Sequence, residues 1–176
     1  MRFYEPVEED KKLMDRLINK TISNYDPPFT HCDVQFADGM ASSVFQFEKL
    51  YWKKRRFTKP GYRCVTMSVD ESAYWRAYRL CQERFREGYS FDAVGMYSLP
   101  LWSMLHVDRE KKTFCSKHCT EVLQVAGVRA VAEAQPDEIT PSGLYRLLES
   151  SSIIHADISP LAGMRITMPL PLPNKA

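Results

Sequence analysis

Cysteine and histidine are the side chains best suited to covalent acyl chemistry, and two short segments place them to act together. In Thr113-Phe114-Cys115-Ser116 a cysteine opens an amphipathic run, Cys115–Ala126, whose Cys119, Val122, Leu123 and Ala126 share one stripe. A thiol at a helix start lies among backbone N–H groups without intrahelical acceptors and at the positive end of the dipole, so thiolate is favoured over thiol. The same N–H groups can hold the oxyanion formed when a thiolate attacks a carbonyl. Cys115 is therefore the candidate nucleophile. Cys119, Cys64 and Cys81 read as core, because cysteine otherwise behaves as a small buried hydrophobe.

The second segment is His31-Cys32-Asp33-Val34-Gln35-Phe36. On a strand, side chains alternate between faces, so Cys32, Val34 and Phe36 form an apolar face and His31, Asp33 and Gln35 a polar one. Asp33 can then hold one imidazole nitrogen of His31 while the other faces a reactant. Asp38-Gly39 signals a hairpin to a second run, Ala41–Phe47. A two-residue loop there pairs Ala37 with Met40 and sets Gln46 opposite His31. Either Asp33 or Gln46 can be the orienting third residue of a triad. The same alternation would also suit the solvent face of a half-exposed hairpin.

The elements that must position these residues follow from periodicity and punctuation. Residues 8–23 carry Leu13, Met14, Leu17, Ile18 and Ile22 at helical spacing, and Asn24-Tyr25-Asp26-Pro27-Pro28 stops them. Thr30–Phe36 and Ala41–Phe47 are the hairpin strands, and Arg63–Ser68 is a third strand after Lys59-Pro60-Gly61. Asp70 caps a helix to about Glu87, with Tyr74, Ala77, Tyr78, Cys81 and Phe85 facing in and Gly88 ending it. A helical segment over 92–105 is interrupted by Pro100, and Gly127 terminates the Cys115 helix. Thr140-Pro141 starts a short helix over 141–149, and MPLPLPNKA closes the chain as a proline-rich tail. The order predicts an α+β fold. It divides into an N-terminal helix and linker (1–29), a catalytic domain (30–150) and a C-terminal extension (151–176).

The chain has 176 residues, 44% of them apolar and 26% charged, which suits one globular domain with its own core. Twenty-four basic against 22 acidic residues leave a formal charge of +2, too small to argue for nucleic acid. No run approaches a membrane span and the first residues lack a signal-peptide core, so a cytoplasmic protein with five reduced thiols is expected.

Two rival chemistries compete with the nucleophile. Cys115, His118 and Cys119 sit at i, i+3 and i+4, and with His31 and Cys32 they could bind zinc, although Cys-x-x-x-Cys is not the usual knuckle spacing. Trp52-Lys53-Lys54-Arg55-Arg56-Phe57 could hold nucleic acid or phosphate in a non-catalytic binding module, or form a solvated loop. His118 offers an alternative base on the helix flank. His106 and His155 read as surface residues.

Four segments, in order, carry a resemblance to a known superfamily. They are His31-Cys32-Asp33-Val34-Gln35-Phe36-Ala37-Asp38-Gly39, the aromatic-x-x-Asp-x-x-Gly pattern of Tyr89–Gly95, Phe114-Cys115-Ser116-Lys117-His118-Cys119-Thr120-Glu121, and Ile139–Tyr145. Together they resemble the circularly permuted branch of the NlpC-type papain-like cysteine peptidases and acyltransferases, with Lys117 where members often carry an acid. That branch includes lecithin:retinol acyltransferase-like enzymes and bacterial and poxviral relatives, and in it a histidine strand precedes the cysteine helix. The resemblance implies a small antiparallel sheet packed against helices, with Cys115 and His31 meeting across a cleft. It implies a cofactor-free and metal-free hydrolase or acyltransferase acting on a peptide, isopeptide or lipid-acyl substrate. The poxviral similarity makes a viral protein of the host cytoplasm one expectation.

Overall fold

A computed structural model of the chain describes residues 1–7, 26–92 and 111–150. The expected helix over 8–23, nearly all of the segment over 92–105, the proline-rich tail, His106 and His155 lie outside the described residues.

The described residues have an α+β fold built on a five-stranded sheet in which every pairing is antiparallel. Its strands are β1 (Arg2–Tyr4), β2 (His31–Gln35), β3 (Met40–Ser43), β4 (Tyr51–Lys54) and β5 (Tyr62–Cys64), in the order β4-β3-β2-β1-β5. A short parallel pair, β6 (Ser90–Phe91) with β7 (Lys112–Thr113), precedes the second of three helices. The helices are α1 (Glu71–Arg86), α2 (Cys115–Val125) and α3 (Pro141–Ser150), with a 3-10 turn at Arg129–Val131.

Two strands escape the hydrophobic pattern. β1 is three residues long, too short to show alternation, yet it lies between β2 and β5. The division expected at residue 29 thus runs through a single sheet. β4 is the first part of the aromatic and basic run, an edge strand whose Lys53 and Lys54 are exposed. Lysines on an edge discourage pairing with another chain. The third expected strand is shorter than its run, ending at Cys64 rather than Ser68.

The β2–β3 turn differs from the expected one by a single residue. The Phe36 N–H donates to the Met40 carbonyl at 2.8 Å and the Gly39 N–H to the Phe36 carbonyl at 3.0 Å, so the loop is Ala37-Asp38-Gly39. Gly39 takes a φ of +85° and the Asp38 carboxylate accepts from the Met40 N–H, as three-residue hairpin loops require. The register is consequently Val34 with Ser42 and Gln35 with Ala41.

One sheet face carries Phe3, Cys32, Val34 and Ser42, all buried, and α2 packs on it between α1 and α3. Asp70 caps α1 by accepting from the Ala73 N–H, and Ala73, Ala77 and Cys81 form its buried stripe. Phe85, expected to face in, is 46% exposed. Arg84 reaches the α2 contact instead, through Glu121 at 2.6 Å. Cys64, expected in the core, is only half-buried. Thr140 caps α3 by accepting from the Gly143 N–H, with Pro141 as its first residue.

Candidate active site

Cys115 is the first residue of α2, as the amphipathic pattern predicts. Three anchors fix that helix start. Phe114 is buried in a small second core with Val44, Leu50 and Phe91. The Ser116 hydroxyl donates to the Ile139 carbonyl at 2.6 Å, and Lys117 pairs with Asp137 at 2.6 Å. Phe114 occupies the capping position without a side-chain hydrogen bond, so the first-turn N–H groups are not taken by a cap.

His31 opens β2, two residues after Phe29, whose N–H donates to the Ser142 hydroxyl at the start of α3. The two ends of the site are thus tied to neighbouring points, Ser142 at the start of α3 and Ile139 just before it. His31 and Asp33 share the polar face, as alternation predicts, but that face is not solvated: His31 is 8% exposed and Asp33 fully buried. His31 Nε2 lies 3.3 Å from Asp33 Oδ1. The Cys115 sulfur adds to the proton affinity of the imidazole, and the imidazole in turn lowers the Cys115 pKa.

Charge completes the picture. Burial opposes protonation of His31, but the Asp33 carboxylate and the Cys115 sulfur outweigh it and the pKa rises from 6.5 to about 10. Cys115 moves the other way, well below its ordinary value. A hydrogen bond from the Cys32 thiol is the largest cause, burial opposes it, and the His31 imidazolium and the Cys32 backbone add to the lowering. Cys32 is raised by burial and by donating to Cys115 and Cys119. Both shifts act in the sense that favours a thiolate beside an imidazolium.

Gln46, expected opposite His31, is displaced by the longer turn. With residue numbers of β2–β3 partners shifted by one, Phe45 takes that place and its ring stacks on the imidazole, with centroids 4.4 Å apart and planes 16° from parallel. β3 ends at Ser43, and Gln46 lies in the following turn. Among the sequence candidates, the structure brings together Cys115, His31 and Asp33.

Asp33 brings in residues that sequence reading passed over. Its Oδ1 accepts from the Tyr51 hydroxyl and, at 3.1 Å, from Arg55 Nη1, besides facing His31. Burial and the Asp33 charge push the Tyr51 phenol up, so it stays a donor. Tyr51 follows from register, because it pairs with Ser43 on the strand next to β2. Arg55 was hidden within a basic run whose other members face solvent.

His118 is not on the helix flank. It is fully buried, with Nε2 2.9 Å from the Ser42 hydroxyl and Nδ1 3.3 Å from Arg84. Burial, and then the Arg84 charge, lower its pKa to about 3, so it is a neutral core histidine. Among the described residues no three His, Cys, Asp or Glu side chains are arranged to hold a metal ion. No helix among them is long and apolar enough to cross a membrane. No protein-family model, curated protein or solved structure matches the chain.

Proposed function

We propose that the chain is a thiol-dependent acyl-transfer enzyme on a permuted papain-like fold, with Cys115 as nucleophile, His31 as acid and base, and Asp33 as the orienting residue. One observation carries the reading: Cys115, His31 and Asp33 are all buried, His31 pairs with Asp33, and the sulfur and the imidazole are shifted in opposite directions. A core cysteine with no chemistry to do has its thiol raised by burial, as Cys81 does, at about 12.

The Cys115 thiolate attacks the carbonyl carbon of an amide, ester or thioester, and the first-turn N–H groups of α2 receive the developing oxyanion. The tetrahedral species collapses as His31 gives its proton to the leaving nitrogen, oxygen or sulfur, which departs. His31, now neutral, takes a proton from water or an amine, which attacks the thioester and returns Cys115 to thiolate. Asp33 keeps the ring oriented through Nε2 in both half-reactions. Peptide, isopeptide and lipid-acyl carbonyls all present the required electrophile.

The test is to incubate the protein with a p-nitrophenyl acyl ester and quench within seconds. An acyl mass on the Cys115 peptide, with a burst of nitrophenol, is expected in the wild type and neither in Cys115→Ala. An equal burst in Cys115→Ala removes Cys115 as the nucleophile.

A further inference from the structure

Arg55 belongs to a run of four consecutive basic residues, yet its guanidinium is turned inward while Lys53, Lys54 and Arg56 are exposed. Its Nη1 donates to Asp33 Oδ1 at 3.1 Å and to the Tyr51 hydroxyl at 2.8 Å, and Nη2 donates to the Tyr62 hydroxyl at 3.1 Å. Its plane lies over Phe57 at 4.8 Å and over Phe45 at 5.0 Å from the ring centroids. Two routes therefore lead from this side chain to the imidazole. The polar one runs through Asp33 Oδ1 to His31 Nε2. The apolar one runs through Phe45, which stacks on the His31 ring.

We propose that Arg55 is a positioning residue that sets the orientation and proton affinity of His31 through Asp33 and Phe45. The inference rests on the acyl-transfer reading for its catalytic consequence, but the coupling itself is a property of the three side chains. A guanidinium does this where an ammonium cannot, because the task needs a planar fork for three oxygens and a flat face for stacking. Arg55 and His31 draw on the same carboxylate oxygen. The arginine partly neutralises Asp33 and so restrains the rise of the His31 pKa. Without that restraint His31 would hold its proton too tightly to release it to a leaving group.

The experiment follows the His31 ring by NMR in histidine-labelled protein, with His31→Gln identifying the signal and circular dichroism checking each fold. Arg55→Met keeps an apolar stem and removes the charge, and the His31 titration is expected to move up by about one pH unit. Arg55→Lys keeps a charge but loses the fork and the stacking face. The ring-current shift that Phe45 imposes on the His31 protons is then expected to weaken, and kcat for the acyl ester to fall with KM little changed. Should Arg55→Met fail to fold, Arg55→Lys decides alone. Folded variants with the His31 titration and ring signals of the wild type overturn the proposal. A wild type without acyl transfer overturns the enzyme reading instead, and leaves the NMR result to decide Arg55.

Discussion

Phe45, rather than Gln46, stacks on the His31 imidazole, and one residue of turn length decides which of them does. Strand side chains repeat every two residues, so a single-residue change in a hairpin loop exchanges the faces of everything beyond it. The third position of the candidate triad then falls to Asp33, which shares β2 with His31 and depends on no register.

Asp33→Asn is expected to lower kcat for an acyl ester by roughly 10²- to 10⁴-fold, the scale of a general acid–base contribution. Gln46→Ala is expected to stay within about fivefold of the wild type. Steady-state kinetics on both variants checks the assignment, and a larger loss in Gln46→Ala than in Asp33→Asn reverses it.

Much of the site was legible because its parts are local. The His31/Asp33 face follows from alternation within one strand, and Cys115 from the first apolar stripe position of α2. Asp70, Thr140-Pro141 and Gly127 mark helix ends through their own backbone preferences. What escaped is non-local. β1 is a strand only because β2 and β5 flank it, and the inward turn of Arg55 depends on Asp33, 22 residues earlier. His118 looked like a flank residue because nothing in its helix reveals that Ser42 and Arg84 close over it.

Cys32 follows the histidine directly and lowers the Cys115 pKa, which gives it a measurable role. Cys32→Ala removes the largest cause of the lowered Cys115 pKa. The pH profile of Cys115 alkylation is expected to move toward alkaline pH by about one unit. Cys32→Ser, which keeps a donor, is expected to reverse part of that shift. Rates with iodoacetamide across pH make the comparison.

The thiolate–imidazolium pair also predicts a stability profile. His31 binds its proton more tightly folded than unfolded, so its contribution is full below about 6.5 and lost as pH rises toward about 10. Cys115 has the opposite sense: its contribution is full above 9.0 and lost as pH falls through its lowered folded value. Below 9.0, and above both 6.5 and the lowered folded value of Cys115, the two slopes offset each other. The difference in Tm between the wild type and a His31→Gln/Cys115→Ser double variant is expected to be flat across that window and to shrink outside it. A difference that changes steadily across that window contradicts the ion pair.

His118 supplies a control on the identity of the base. It is neutral in the fold, with its pKa held at about 3, so the stability it contributes is full above about 6.5 and is lost as pH falls toward about 3. His118→Asn is expected to lower Tm at neutral pH and to flatten the acid side of the Tm profile. Turnover per folded molecule is expected to stay near that of the wild type, and melting curves with active-site titration separate the two effects.

The most direct test is the pH dependence of alkylation at each of the five cysteines, mapped by mass spectrometry in the wild type and in His31→Ala. In the wild type Cys115 is expected to react at lower pH than, and ahead of, Cys32, Cys64, Cys81 and Cys119. In His31→Ala its reactivity is expected to shift toward alkaline pH. Reaction of Cys115 no faster than Cys64, with a profile unchanged by His31→Ala, would contradict the account.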